Sequence, residues 1–374
     1  MKAHEKTERV PLFHIIKRDT LPWWMSWIIR ILSVLVALIV SAVVTVLLTG
    51  ENPLQVYVTM FEGALGTNPM FWESRRFWAL LQETAMLLCI SLAVTPAFKM
   101  RFWNIGAEGQ VLVGGLATAA AMMFFGDQLP TWLMFVVMFA ASMLAGAVWA
   151  LIPAIFKARW NTNETLFTLM MNYIAIQLVS YFTYEFSVPK GSGQIGVINS
   201  STQIGWLPNI GGKGYLLNIL IVAALTVGIY VYLRYSKHGY EISVVGESEN
   251  TARYIGLNVR KVIVRTMLIS GAICGIAGLL LVSGTDHTIT RDTAAGRGFT
   301  AIMVSWLAKF NPLYMILTSL LIVFLQKGSI EISTQFGLNA AFSDIITGII
   351  IFFIIGSEFF INYTIKFREK EANK

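Results

Sequence analysis

"RFWNIGAEGQVLVGG", residues 101–115, sets Asn104, Glu108 and Gln110 between two stretches suited to lipid. Residues 80–98 before it are nearly all apolar, and those after it to Phe125 are mostly Ala, Val, Leu, Met and Gly. A charge at the centre of a bilayer costs about 2.5–3.5 kcal/mol on insertion scales, so such groups normally face a cavity or a protein partner. Glycines at 106, 109, 114 and 115 permit close helix packing or a broken helix. Broken helices are a recurrent way to set polar groups on a solute path. The same three polar residues are equally suited to tying helices together.

The rest of the chain extends this pattern. Its 374 residues are 56% hydrophobic and 13% charged, against about a quarter charged in a soluble protein. Apolar runs recur at lengths that cross a hydrocarbon core of about 30 Å. The expected fold is all-α: a polytopic transmembrane helical bundle of about ten spans, near 27–49, 80–98, 105–125, 131–156, 164–186, 215–235, 263–283, 298–309, 312–327 and 342–362. The eighth and ninth are short for full crossings. The run 28–48 shows no small-residue cleavage site and reads as a retained helix.

With the N-terminus inside, 21 of the 28 Lys and Arg fall in or beside cytoplasmic segments, as the positive-inside rule requires. Ten spans bring the C-terminus to the cytoplasm as well. The net charge of +7 is therefore a topology signal rather than a sign of nucleic acid. The expected organisation is a cytoplasmic segment 1–26, a membrane domain 27–362 and a cytoplasmic tail 363–374. Cys89 and Cys274 lie in apolar segments as small hydrophobes, and the four histidines have no metal-ligand spacing.

Two outer segments and one inner segment are long. Residues 50–79 include "PLQVYVTMFEGALG", partly amphipathic and suited to the interface. Residues 187–214, rich in Gly, Ser and Asn, fit a flexible connector or an external docking surface. The inner segment 236–262, "SKHGYEISVVGESENTARYIGLNVRKV", is too polar for membrane and too patterned for a plain linker. Gly246 ends an apolar stretch, Ser248 caps a short helix, and Glu249 complements its dipole. Ala252, Tyr254, Ile255 and Leu257 give that helix an apolar side, and Gly256 and Asn258 suit its stop.

Four blocks carry a resemblance. "FWNIGAEGQVLVGG", "NETLFTLMMNYIA" (163–175), "VVGESENTARYIGLNVRKV" (244–262) and "GRGFTAIMVSWLAKFNPL" (296–313) stand in this order. Together they resemble inner-membrane permease subunits of ATP-binding-cassette (ABC) importers for nucleosides or simple sugars. These belong to the binding-protein-dependent permease family that includes ribose and branched-chain amino acid permeases. Departures from the family pattern are Trp103, Ser248, Asn250, Trp306 and Lys309.

The resemblance implies a subunit of the bacterial cytoplasmic membrane that forms part of a translocation pathway. It implies Asn104, Glu108, Gln110, Glu164, Thr168, Asn172, Phe299 and Trp306 along that pathway. Gly246, Glu247, Ala252, Arg253, Tyr254, Gly256 and Asn258 would couple to an ATPase. Positions 164, 168 and 172 share one helix face, which fits a pathway or a helix contact. The implied partners are a cytoplasmic ABC ATPase, a second and preferably different permease, an external substrate-binding lipoprotein and membrane lipid. ATP and Mg²⁺ would sit on the ATPase, since no G-x-x-x-x-G-K-[ST] loop is present here and "GGKG" (211–214) lacks that spacing. A weak internal repeat relates 80–186 to 263–362 through Gly-marked shortened segments. The competing class, an ion-coupled secondary transporter of small polar solutes, calls for intramembrane acid pairs. An integral-membrane enzyme calls for a catalytic constellation. Neither pattern is in the sequence.

Overall fold

The computed structural model describes residues 13–18, 21–67, 70, 73–210 and 215–367. Most of the predicted 1–26 segment, the end of the 363–374 tail and "GGKG" lie outside these residues. Thirteen helices fall among the described residues, and nine are long and apolar enough to cross a membrane. They divide into two compact units, one of residues 65–324 and one of residues 1–64 with 325–374.

The larger unit is built on α3 (Arg75–Lys99), α4 (Ala107–Phe125) and α10 (Val259–Leu281). Their membrane spans are 72, 61 and 83% buried, which makes them the inner trio. The outer helices α5 (Thr131–Trp160), α6 (Glu164–Glu185) and α7 (Leu216–Tyr235) each turn one side outward. Lipid offers no hydrophobic drive for helix pairing, so close van der Waals packing of small residues supplies it. Gly271, Gly275 and Gly278 of α10 lie directly on backbone atoms of Gly146 and Ser142 of α5 and of Val111, Gly114 and Gly115 of α4. Cys89 and Cys274 are free and fully buried, as expected of small hydrophobes.

Short polar residues punctuate the chain. Asn161 ends α5 in the left-handed conformation, and Asn163 caps α6 by accepting from the Leu166 N–H. Ser74, Ser236, Ser248 and Asn258 cap α3, α8 (Lys237–Glu247), α9 (Glu249–Tyr254) and α10 in the same manner. Such caps satisfy N–H groups that the helix itself leaves free.

One predicted span is corrected. Residues 298–309 form α11 (Arg297–Leu307), only 11 residues, or about 16 Å at 1.5 Å per residue. That is half a hydrocarbon core. The Arg297 guanidinium meets Glu83 of α3 at 2.6 Å, and Ser305 Oγ donates to the Ser91 carbonyl at 3.0 Å. The short helix thus runs parallel to α3, back from the end where α10 finishes. A π-helical turn at Val282–Asp286 and an irregular stretch to Gly296 complete that return. Within the predicted outer segment 187–214, Ile198 and Leu207 are buried, Asn199 donates to the Met122 carbonyl, and Leu207 N–H donates to Ser283 O.

In the smaller unit, α1 (Trp23–Thr49) and α13 (Ala340–Asn362) pack together, with Arg30 and Glu358 paired at 2.6 Å. The strands β1 (Phe13–Lys17) and β2 (Tyr363–Phe367) pair antiparallel, Phe13 opposite Phe367. Chain segments before α1 and after α13 therefore lie together. The interfacial helix expected at 50–79 is α2 (Pro53–Leu65), with Val56, Thr59, Met60 and Ala64 buried.

The Gly275 contact is testable. A Cβ there would overlap the Ser142 carbonyl oxygen, whereas Gly228 of α7 has no neighbour within 4 Å. Gly275→Leu should lower the melting temperature of the detergent-purified protein by an overpacking cost of at least about 1–3 kcal/mol. Gly228→Leu should leave it unchanged, and equal melting curves for the two variants would refute the seam.

Candidate functional site

The predicted polar residues converge on the start of α4. Asn104, Gln110, Thr168 and Asn172 are all at most 3% exposed, and their hydrogen bonds stay within the chain. Asn104 Oδ1 accepts from the Gly106 N–H and from Gln110 Nε2, both at 3.1 Å, and Asn104 Nδ2 donates to Ser270 Oγ of α10 at 3.3 Å. Asn172 Oδ1 accepts from the Gly109 N–H at 2.9 Å while its Nδ2 donates to the Ile105 carbonyl at 2.9 Å. Thr168 Oγ1 accepts from the Ile105 N–H at 3.2 Å and donates to the Glu164 carbonyl at 2.7 Å. The stripe 168–172 of α6 thus holds the irregular turn before α4, residue by residue.

Glu108 reaches in the other direction. Its Oε1 accepts from the Gly296 N–H at 2.7 Å and its Oε2 from the Gly298 N–H at 2.8 Å. Those groups open α11, so the carboxylate caps the helix that the chain reaches 188 residues later. A side chain at 298 would overlap the backbone nitrogen of Glu108, so the two helix starts touch. Two Gly-marked segments of the sequence, 106–109 and 296–298, meet here. Glu164, in the first turn of α6, pairs with Lys157 at the end of α5 at 2.9 Å.

The predicted aromatic residues behave differently. Phe299 and Trp306 lie on the outward face of α11, 44 and 51% exposed. Trp306 packs on Trp103, ring centres 5.5 Å apart. Glycine pairs and amide letters made the polar junction visible in the sequence. That Gly296 and Gly298 donate to Glu108 was not, because backbone N–H groups carry no letter of their own.

The second candidate site is the 236–258 segment. Its helical content is larger than expected, since α8 precedes α9. Gly246 does not end a stretch: it lies inside α8 against the Lys99 carbonyl of α3, followed by Glu247 as the last residue of α8. Arg265 of α10 donates to Glu241 at 2.8 Å and holds that carboxyl below the usual range, which clamps α8 onto the bundle. Ser248 caps α9, and Arg253 pairs with Glu249 one turn away at 3.0 Å. Ala252 is fully buried, but Tyr254 is 93% exposed and Ile255 also points outward. The expected apolar side is thus split between an anchor and a projecting tip. Gly256 stops α9 at φ +84°, as expected, whereas Asn258 has φ −83° and caps α10 instead. A cavity of about 630 Å³ beside the tip is lined by Lys157, Arg159, Arg253 and Arg260 among others.

A model of the family described as the branched-chain amino acid transport system/permease component matches residues 77–355. A glucose ABC transporter permease protein of Haloferax volcanii is 30% identical over 93% of this chain and 92% of its own. A guanosine ABC transporter permease protein of Bacillus subtilis is 29% identical over 92% of this chain and 98% of its own. A second guanosine ABC transporter permease protein of the same strain is 26% identical over 67% of this chain and 81% of its own.

The Glu108 contact gives a direct test. Glu108→Leu strips the acceptor from two N–H groups, at about 1–3 kcal/mol for each donor left bare. The melting temperature should fall clearly in Glu108→Leu and less in Glu108→Gln, which keeps one acceptor oxygen. An unaltered melting temperature in Glu108→Leu would show that α11 does not depend on this carboxylate.

Proposed function

We propose, for a chain that belongs to the branched-chain amino acid transport system/permease component family, that it supplies part of the pathway by which an ABC importer brings a nucleoside into the cell. Membership makes it a multi-pass permease subunit of the cytoplasmic membrane, a transport component rather than an enzyme. The rest of this assignment is our own. The observation that carries the coupling is the α8–α9 segment. A buried Ala252 and the Glu241–Arg265 clamp fix a short helix whose tip, Tyr254 and Ile255, projects free of the bundle. A rigid knob of this kind fits a groove on a cytoplasmic ATPase, which would carry the ATP and Mg²⁺. The neighbouring Lys and Arg groove offers the ATPase a charged rim.

The polar junction is a positioning device in this scheme. Asn104, Gln110, Thr168 and Asn172 hold α4 and its entry turn, Glu108 holds α11, and Glu164 ties α6 to Lys157. Contact with the solute then falls to the outward face of α11, where Phe299 and Trp306 would wall a passage completed by a second permease. The two guanosine permease proteins of one B. subtilis strain support a partner of different sequence. An external substrate-binding lipoprotein would deliver the solute and set most of the specificity. The glucose permease similarity supports a simple sugar as the second reading.

Tyr254→Ala combined with Ile255→Asp should reduce ATP-driven uptake at least tenfold, on the scale of losing an exposed aromatic hot spot. The permease should melt at the wild-type temperature and retain less ATPase on purification. Full uptake by this variant would remove the knob from the mechanism. Affinity purification through a tag on this chain should recover a second, different permease. An active complex containing only this permease and the ATPase would overturn the heteromeric assembly.

A further inference from the structure

Three separate stretches of chain bring positive charge to one groove of about 630 Å³. Lys157 and Arg159 come from the end of α5, Arg253 from α9 and Arg260 from the first turn of α10, and Glu249 of α9 is the acid among them. Lys157 is matched by Glu164 at 2.9 Å, and Arg253 by Glu249 at 3.0 Å. Arg159 and Arg260 are exposed and have no ion-pair partner among the described residues. Two positive charges are therefore left over. The positive-inside rule accounts for basic residues at this end of the bundle, but not for their meeting around one concave space.

The groove is not uniformly polar. Leu257, Val259 and Ile263 give it an apolar floor, the last two buried. Where the apolar run of α5 ends, Phe156 and Trp160 share a helix face, 40 and 61% exposed, with ring centres 5.1 Å apart. Phe156 also packs on Phe167 of α6 at 4.9 Å. Tryptophan at the end of a span settles at headgroup depth, so Trp160 sets its neighbours Lys157 and Arg159 at the level of lipid phosphates. The guanidinium fork matches phosphate oxygens and is more weakly hydrated than an ammonium group. The volume falls within the roughly 300–1,000 Å³ of pockets that take small organic ligands. Two surplus arginines, an apolar floor and an aromatic border together suit an amphiphile with a phosphate head. An acidic loop of the ATPase would match the charge and leave the aromatic border unused.

We propose that this groove holds the headgroup of an anionic phospholipid, its phosphate served by Arg159 and Arg260 and its glycerol end against the apolar floor. Basic pockets between helix ends at a membrane face are a recurrent place for such headgroups. The ATPase of the scheme above would meet the tip of α9 and the rim of the groove, and the lipid would occupy the interior. Residues of α9 share the lining with those of α5 and α10, so a bound headgroup braces α9 against the bundle. The proposal does not depend on which solute is carried.

The test uses the complete transporter in phosphatidylcholine bilayers, with spin-labelled phosphatidylglycerol and phosphatidylcholine as probes. Phosphatidylglycerol should be held at the protein in preference to phosphatidylcholine. Arg159→Gln with Arg260→Gln should lower that preference about fivefold for each arginine removed. Arg234→Gln with Lys237→Gln takes the same charge from the same end of the bundle outside the groove, and should keep the preference. A wild type without preference, or equal loss in the two double variants, overturns the site. Inorganic phosphate that abolishes the preference at constant ionic strength makes the groove a soluble-phosphate site and overturns the lipid. Loss of the ATPase from the Arg159→Gln/Arg260→Gln variant with lipid preference unchanged assigns the groove to the ATPase and overturns the proposal. Should that variant fail to assemble, Arg260→Gln alone decides by the same measure, and an unchanged preference overturns the site.

Discussion

One carboxylate sets the arrangement of the membrane core. Glu108 stands in the first turn of α4 and accepts both leading N–H groups of α11. An acid at either helix start is favourable, because the partial positive charge of the backbone dipoles gathers there. It closes two N–H groups at the start of a short helix that the interior of a membrane cannot leave open. The contact demands that the two backbones touch, and Gly298 grants the space. The short length of α11, its course along α3 and the exposure of its aromatic face follow from where this contact places its first residue.

The other polar groups of the junction serve the same end. Asn104 and Asn172 bond backbone atoms that the broken turn 100–106 leaves unpaired. An interruption is tolerable in lipid only where protein satisfies it. The amides therefore belong to the same physical requirement as the glycine seam of α10: the first supplies hydrogen bonds, the second supplies contact distance.

Within the inner trio, α10 runs from the 236–258 segment to the opposite end of the larger unit. From Asn258, which caps it beside α9, the span of α10 and its π-turn reaches Asp286. Its close packing on α4 and α5 leaves it little freedom to bend, since packed interiors transmit displacement rather than absorb it. A movement imposed at α9 would have a stiff element along which to travel, and its far end holds the turn that leads to Glu108. Rigid elements with movable contacts at both ends are the usual substrate of such coupling.

The sequence by itself determined the class of fold and most of its helices. Apolar runs bounded by Ser, Asn and Gly state where chains enter and leave lipid, because burial of backbone in hydrocarbon tolerates little else. Nine long helices stand where those runs predict them, and the polar letters of 104–110 and 164–172 declared a site of consequence. Only the tertiary structure decided which partners those letters take. Amides and acids in a membrane read alike whether they face a solute or another helix, and the choice depends on partners far away in the chain. Glu108 finds its partners at 296 and 298, and Asn104 finds one at 270. The split of α9 into a buried Ala252 and a projecting Tyr254 was equally hidden, since six residues of helix show no face until something packs against one side. Local pattern encodes what each segment must hide from lipid, and tertiary packing chooses which neighbour it hides against.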